Sequence, residues 1–191
     1  MIYDLVKKNR SYRGYDHSYE FTREQLEAYA ECARLCPSSV NKQPLKYFLA
    51  CEKEMVDLIQ KETHWARALP ELTLPHPGKE PTAFIVICQD DELDPDLKRY
   101  QKDIGIVAQT MLLAAVEEGL GGIMIGNFSS ESVRKLLQLP ETIHPMLIVA
   151  FGKPDEKIVI TDVKEGKTNY YRDEEDIHYV PKRSLADELL N

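Results

Sequence analysis

The sequence predicts one domain of the α+β or α/β class, in which helices flank a central sheet. Two apolar runs of strand length, 83–88 and 146–151, predict strands buried on both faces. The segment 97–118 predicts the longest helix, and it is apolar on most faces between Ile104 and Val116. Helices interspersed with a few buried strands are typical of this fold class.

The first half of the chain carries several local signals for helices. Residues 2–9 predict a short helix. Thr22 and Gln25 match a capping box, which predicts a second helix that ends near Pro37. Residues 63–82 hold four prolines and predict a long loop, a kind of segment that often forms lids or binding loops. Two elements lie between that helix and this loop, a strand at 47–51 and a helix at 54–62.

The second half is organised around the helix predicted at 97–118. Because this helix is apolar nearly all round, we expect it to lie in the middle of the domain or to pack against a second subunit. Gly119 supplies its C-terminal cap. A strand at 123–125 and a helix at 130–137, capped by Ser130, follow before the second buried strand.

The C-terminal tail, residues 152–191, differs from the rest of the chain. It is polar with scattered tyrosines, and its last short helix begins near Ser184. The tail is too apolar in places to be simply disordered, yet it lacks a core of its own. We therefore expect it to wrap over another surface, such as that of a partner subunit.

Length and charge limit the functions that the chain can have. Its 191 residues are ordinary for one domain, 1–191, with a sizeable core. The net charge of −8 argues against a nucleic-acid surface, which needs a basic face. No apolar run reaches the length of a membrane span, and the start lacks the pattern of a signal peptide. These observations predict a cytoplasmic protein.

No side-chain pattern indicates a metal site or a catalytic triad. The four cysteines form neither a CxxC motif nor a zinc pattern with histidine, which favours small buried side chains in a reducing compartment. None of the five histidines pairs with a cysteine or carboxylate at metal-ligand spacing. If the protein is an enzyme, a cofactor must therefore carry the difficult chemistry.

Two short basic clusters lie at opposite ends of the chain. Arg10-Ser11-Tyr12-Arg13 places two arginines and a hydroxyl within four positions, and Lys182-Arg183 forms a second basic pair. Paired arginine donors fit phosphate oxygens well. Taken alone, a short basic cluster is more often a solvated turn. We nevertheless predict that the two ends of the chain meet at one phosphate.

Two further segments carry polar or open backbone groups. Residues 37–44, Pro-Ser-Ser-Val-Asn-Lys-Gln-Pro, offer donors and acceptors that suit a planar heterocycle, although a plain connecting loop has the same composition. Residues 119–126 place glycines on both sides of a short apolar strand, where backbone N–H groups can approach a ligand. A helix cap followed by a tight turn is the alternative interpretation.

Taken together and in order, these segments resemble the nitroreductase family of FMN-dependent oxidoreductases. Asn9 to Arg13 is similar to the family's phosphate motif, and 37–44 is similar to its Pro-Ser-Ser-x-Asn-x-Gln-Pro loop. Segment 103–121 resembles its long central helix, and 150–154 matches the end of its central strand. Two departures are Asn9, where many members carry an arginine, and Leu45, where many carry a tryptophan.

The resemblance implies an α+β, nitroreductase-like fold with a central mixed sheet and an intertwined homodimer. Two FMN molecules lie at the interface of such a dimer, and the C-terminal arm wraps the partner subunit. By the same analogy the phosphate and ribityl chain are held by Arg10, Ser11, Arg13, Lys182 and Arg183. The residues contributed by the other subunit are Pro37, Ser38, Ser39 and Asn41, and Gln43 of the same loop is a further cofactor-binding residue.

Two further positions gain an implied role. The backbone around Ile125 and Gly126 lies near the flavin N5, where a donor steadies the reduced ring. Trp65, the only tryptophan, lies in the 63–82 loop on the implied substrate side. We expect it to be a packed loop anchor in preference to a residue that stacks on the flavin or substrate.

The implied activity is a ping-pong transfer of two electrons from NAD(P)H to a small acceptor such as a nitroaromatic or quinone. On the same fold, a reductive dehalogenase and a flavin-fragmenting oxygenase are alternatives. A flavin-binding carrier or redox sensor without efficient turnover belongs to a different class. A flavin-free protein with this fold is a third alternative, against which the predicted phosphate site argues.

Overall fold

A computed structural model of the protein describes residues 1–190, so Asn191, the last residue of the predicted domain, lies outside the described residues. Helices and strands follow in the order α1 (Ile2–Lys8), β1 (Tyr15–Asp16), α2 (Arg23–Arg34), β2 (Leu45–Ala50), α3 (Lys53–Lys61), β3 (Ala83–Asp90), α4 (Gln101–Glu117), β4 (Gly121–Ile125), α5 (Ser130–Leu136), β5 (Ile143–Pro154), β6 (Ile158–Asp162), β7 (Tyr171–Arg172), β8 (His178–Lys182) and α6 (Leu185–Glu188).

The central sheet has five strands and is built on β5. This strand pairs with β1, β3 and β4, and β2 pairs with the other edge of β3. These four pairings are antiparallel. Parallel pairing occurs in an isolated bridge between Ser11 and Gly122 and in the second sheet, where β6 pairs with β8. The predicted α+β class with flanking helices is confirmed.

Helices cover both faces of this sheet. Ile85 and Ile87 on β3 belong to an apolar cluster with residues of α2 and α4. Phe84 and Val86 alternate with them and belong to a second cluster, with residues of α3 and α5. Successive side chains of a strand project to opposite faces, so both faces of β3 are buried. The continuous apolar run at 83–88 therefore predicted its central position correctly.

Helix boundaries follow the predicted caps with two differences. The Thr22 hydroxyl accepts from the Gln25 N–H at 3.3 Å, as the capping box predicts. The prediction for α4 began too early, because Asp96 accepts from the Lys98 N–H at 3.0 Å and holds a turn before the helix. The cap of α5 is Ser129, and the Ser130 hydroxyl instead donates to the Pro145 carbonyl at 2.7 Å.

The helix α4 ends as predicted at a glycine in the left-handed region. Gly119 has φ +79°, and the Leu120 N–H donates to the Ala115 carbonyl at 2.9 Å. This is the Schellman arrangement, in which a residue without Cβ turns the chain out of the helix. Within residues 1–190, no helix combines the length and the apolar character that crossing a membrane requires.

The tail forms a small sheet that the sequence did not predict. Strand β8 pairs in parallel with β6 and antiparallel with β7. This sheet is tied to the N-terminal segment of the same chain, because the Arg13 N–H and the Arg172 guanidinium both donate to the Glu156 carboxylate. The short last helix begins as predicted, with Ser184 as its cap. Wrapping of a partner subunit stays a prediction.

Candidate functional site: a cationic cavity and an exposed polar loop

The two ends of the chain meet at one cavity of about 380 Å³. Its wall contains Arg10, Ser11 and Arg13 from the N-terminal segment and Lys182 from the end of β8. The sequence predicted that these residues belong to one site, and the fold brings them together. Other wall residues were not predicted as site residues, among them Asn9, Gln109, Met124, Tyr170 and His178.

The cavity wall is positively charged, although the chain as a whole is acidic. Three of its wall residues are cationic and, among the described residues that form the wall, none is a carboxylate. The Arg10 guanidinium donates to the Val6 carbonyl at 2.8 Å, whereas its buried Nε has no partner in the described part of the chain. Since buried donors are normally paired, this arrangement favours an anionic ligand.

Arg13 is the most firmly fixed cation of the cavity. Its side chain is buried, donates to the Ser11 carbonyl at 3.0 Å, and lies 4.9 Å above the ring of Tyr170. Burial lowers the pKa of this guanidinium, while Glu156 and Tyr170 oppose the shift. An arginine still titrates far above neutrality, so Arg13 is a charged group that the fold holds in place.

Among the wall residues that the tail supplies, Tyr170 and His178 had no signal in the sequence. His178 is 1% exposed, and its ring centroid lies 5.2 Å from that of Tyr170. Burial, together with Arg13 and Arg172, lowers the pKa of His178 to about 4, so its ring is neutral at pH 7. A histidine in a polar tail carries no spacing pattern that identifies it, because its role depends on the unpredicted β8.

The cavity lies beside β4, which contributes Met124 to its wall. The bridge between Ser11 and Gly122 joins the two segments, and the Tyr12 N–H donates to the Gly122 carbonyl at 3.2 Å. A Cβ at Gly122 would collide with the Ala150 carbonyl, and one at Gly121 would meet the Tyr12 ring at 2.6 Å. These two glycines therefore allow close packing of the protein itself, and the expectation that they open the backbone to a ligand is wrong for them.

The other end of β4 is open. Gly126 is exposed, and a Cβ at this position would have nothing within 4 Å. Ile125, which precedes it, is buried in the second core cluster. Four residues separate Gly122 from Gly126, which corresponds to about 13 Å along a strand. Strand β4 thus joins the cationic cavity to an accessible backbone position.

The predicted polar loop is exposed, and hydrogen bonds to a buried residue of α4 anchor it. Asp103, a buried residue of α4, accepts from the Ser38 hydroxyl and from the Ser39 N–H, both at 2.8 Å. The amide of Gln43 donates to the Asn41 side-chain oxygen at 3.2 Å. The role of Asp103 was not predicted, because a carboxylate in the first turn of a helix is also explained by the helix dipole.

Backbone strain is concentrated in the same loop. Val40, Asn41 and Gln43 have φ values of 47°, 53° and 53°. Non-glycine residues seldom adopt this left-handed region, and clusters of them are typical of binding segments. Val40 is 84% exposed, so the strain does not serve to bury an apolar side chain.

The loop and the cationic cavity are separate within one chain. Pro37, Ser38 and Gln43 border a smaller cavity of about 150 Å³ together with Asp103, near the N-terminal end of α4. The cationic cavity instead reaches α4 at Gln109 and Leu112, and no residue of the loop is in its wall.

Two predicted residues lie away from the cationic cavity. Arg183 borders a different depression, with Ser184 and Asp187, so its contact with a phosphate stays a prediction. Trp65 donates its indole N–H to the Thr63 hydroxyl at 2.8 Å and packs against the second core cluster. The adjacent His64 N–H donates to the Asn127 carbonyl at 3.0 Å, which places this loop beside the open end of β4.

The described residues offer no metal-based alternative. Within 1–190, no group of three or more histidine, cysteine, aspartate or glutamate side chains is placed to hold a metal ion. His144 lies at the start of β5, and its Nε2 is 2.7 Å from a carboxylate oxygen of Asp91. The arrangement is therefore best suited to binding an anionic molecule along β4.

Comparison with known proteins agrees with this geometry. Residues 6–153 match the sequence profile of the nitroreductase family. A provisional NADH dehydrogenase/NAD(P)H nitroreductase of Methanothermobacter thermautotrophicus is 27% identical over 159 residues, which are 81% of this chain and 78% of the relative. The solved structure of an FMN-dependent nitroreductase from Clostridium difficile R20291 is similar, with a TM-score of 0.66 at 25% identity, and the match covers 82% of this chain and 89% of that one. The NADPH:FMN oxidoreductase of Vibrio harveyi, solved with NAD⁺, has a TM-score of 0.63 at 25% identity, with 81% and 69% covered. The chain belongs to the nitroreductase family.

Proposed function

We propose that the protein is an FMN-dependent oxidoreductase that takes electrons from NAD(P)H and passes them to a small acceptor such as a nitroaromatic or quinone. Membership of the family supports an oxidoreductase in the broad sense. The cofactor is supported by similar proteins whose names specify FMN or flavin. The residues of this chain also support the cofactor.

The observation that carries the proposal is the cationic cavity beside β4. Arg10, Arg13 and Lys182 supply three charges with no carboxylate beside them, which suits a phosphate dianion. Gly126, about 13 Å along the strand from Gly122 and two residues beyond the wall residue Met124, leaves backbone exposed where the flavin ring would lie. FMN carries its phosphate and its ring at opposite ends of a ribityl chain, so its shape fits this arrangement.

The chain's own residues have distinct parts in this proposal. Arg10 and Lys182 bind the phosphate by charge-assisted hydrogen bonds, and Ser11 offers its hydroxyl. The backbone beside Ile125 and Gly126 presents a donor to the ring. When bound, FMN would supply the redox chemistry, by which a hydride from NAD(P)H is passed on to the acceptor.

A homodimer completes the proposed site. The 38–43 loop presents exposed donors, yet it does not reach the cationic cavity of its own chain. One face of α4 is also uncovered, since Ile106 is 40% exposed and a Cβ at Gly105 would have nothing within 4 Å. We infer that α4 of one subunit packs against the other, so that each loop lies over the partner's flavin.

The test is the visible spectrum of the purified protein under anaerobic conditions. We expect flavin absorbance bands that are bleached by NADH or NADPH and restored by a quinone or nitroaromatic. A protein that takes up no added FMN would contradict the cofactor assignment. A flavin-loaded protein that neither nucleotide reduces would contradict the enzymatic activity and favour a carrier or sensor.

A further inference from the structure

His178 is a buried polar residue in the wall of the cationic cavity. It has no part in the phosphate contacts proposed above. It begins β8, is 1% exposed, and lies in the same cavity wall as Arg10 and Lys182. Its Nδ1 is buried and has no hydrogen-bond partner among residues 1–190. A buried polar atom without a partner is costly, and the residue that carries it belongs to the cavity wall, so a ligand in the cavity is a candidate partner.

The protonation of the ring follows from its one close neighbour. The His178 Nε2 lies 3.4 Å from Nη1 of Arg13. A guanidinium only donates hydrogen bonds, so Nε2 must be the acceptor in this contact. In the neutral ring the hydrogen is then on Nδ1, which makes the unpartnered atom a donor. The ring is neutral at pH 7 because burial lowers the pKa of His178 to about 4.

The position of His178 is fixed by a buried ion-pair network from the tail. Arg172 donates to Glu156 and, at 2.8 Å, to Asp176, while Glu156 also accepts from the Arg13 N–H. The charged groups that act on the ring are Arg13, Arg172 and Asp176, and Tyr170 packs against it. All of these except Arg13 lie beyond residues 6–153, the part that matches the family. The tail of this chain thus adds a donor to the wall.

We propose that the Nδ1–H of His178 is an additional ligand of a phosphate monoester, namely the 5′-phosphate of FMN. This inference rests on the proposed function, since it assumes that FMN binds in the cationic cavity. A neutral imidazole offers the phosphate a directed hydrogen bond beside the charges of the three cations. It adds no fourth charge to the empty cavity. His178 is therefore a residue that distinguishes phosphorylated from unphosphorylated flavin.

The experiment compares FMN with riboflavin, which lacks the phosphate, on the full-length chain after removal of flavin. Dissociation constants are measured by fluorescence quenching for the wild type, His178→Phe and His178→Gln. His144→Gln is the matched control, because His144 lies outside the cavity wall and pairs with Asp91. We expect His178→Phe to weaken FMN binding by about tenfold to a hundredfold, the effect of losing one hydrogen bond to a charged group. Riboflavin binding should be unchanged.

The conservative variant separates a ligand from a merely structural role. Glutamine keeps an N–H donor, so His178→Gln should retain most of the preference for FMN. In the wild type, ¹⁵N NMR of the histidine rings should show a protonated Nδ1 of His178 that shifts on addition of FMN and not of riboflavin. This measurement remains informative if the phenylalanine variant fails to fold.

Three outcomes would overturn the inference while leaving the proposed function intact. One is an unchanged ratio of FMN to riboflavin affinity in His178→Phe. Another is a loss that affects both flavins equally, which would indicate a structural role. The third is a change in the preference for NADPH over NADH with no change in the flavin ratio, which would assign the residue to the nucleotide's 2′-phosphate. Absence of any flavin binding by the wild type would instead contradict the proposed function.

Discussion

The cationic cavity and the 38–43 loop are the two regions of the candidate site, and they are built in opposite ways. In the cavity wall, Arg13 and His178 are buried and are held by an ion-pair network from the same chain. The loop is exposed and strained, and it is anchored from below by the buried Asp103. The difference shows that one chain assembles the wall of the cationic cavity by itself, whereas the loop keeps its donors exposed. In the proposed homodimer these donors would lie over the partner's cavity.

The largest expected effect comes from breaking the network behind the cavity. Arg172 and Glu156 each have a side chain that is only 4% exposed. Removing one partner of a buried ion pair leaves the other charge uncompensated, so we expect Glu156→Ala to lower the free energy of unfolding by about 3–5 kcal/mol in urea denaturation. The control Glu165→Ala removes a pair with Lys167 that is almost fully exposed, and it should cost less than about 1 kcal/mol. Equal effects would contradict a built cavity wall.

Acid should destabilise the cavity region through His178. Its pKa is about 4 in the folded protein against an ordinary value of 6.5, so the unfolded chain binds more protons between these values. Stability is therefore complete above about pH 6.5 and falls as the pH is lowered towards 4, by about 3 kcal/mol at most. Urea denaturation across this range should show the loss in the wild type and a flatter profile in His178→Phe. The same slope in both proteins would refute the assignment.

The close contact of the N-terminal segment with β4 predicts a smaller effect at Gly122. An added methyl group would collide with the Ala150 carbonyl and with Leu112, and such overpacking costs about 1–3 kcal/mol. Gly122→Ala should therefore lower the melting temperature. Gly126→Ala, at the open end of the same strand, meets nothing within 4 Å and should leave the melting temperature unchanged. A comparable loss at both positions would show that β4 does not have one closed and one open end.

The smallest effect is expected at the anchor of the exposed loop. Asp103→Asn weakens the hydrogen bonds to the Ser38 hydroxyl and the Ser39 N–H, which should cost about 1 kcal/mol. Since the loop buries little, the loss should appear as faster amide exchange at residues 38–43 and as weaker FMN binding, with a nearly constant melting temperature. Unchanged exchange in the loop would mean that Asp103 does not hold it.

Much of the core could be predicted from local sequence. A strand that is buried on both faces has an unbroken apolar run, as at 83–88. Helix caps such as Thr22 and Gln25 depend on residues within one turn. The small sheet of the tail could not. Strand β6 is short and half-exposed, and its parallel pairing of Ile158 with His178 joins residues far apart in sequence.

The candidate site divides in the same manner. The basic residues at 10–13 and Lys182 were predictable from charge, and Ser38 and Gln43 from composition. His178, Tyr170 and Glu156 were not, because each acquires its role only when the unpredicted small sheet packs against Arg13. The roles of Gly121 and Gly122 depend likewise on a close approach that only the fold shows.

The central claim is that the cationic cavity binds the phosphate of FMN, and Lys182 tests it most directly because this side chain is exposed and is not part of the buried network. The measurement is the dissociation constant of FMN and of riboflavin for the wild type, Lys182→Ala and, as a matched control, Lys167→Ala. Lys167 belongs to the same C-terminal region, and its side chain is 79% exposed. We predict that Lys182→Ala weakens FMN binding about tenfold or more and leaves riboflavin binding unchanged, while the control affects neither. Equal FMN affinity in all three proteins would contradict the account.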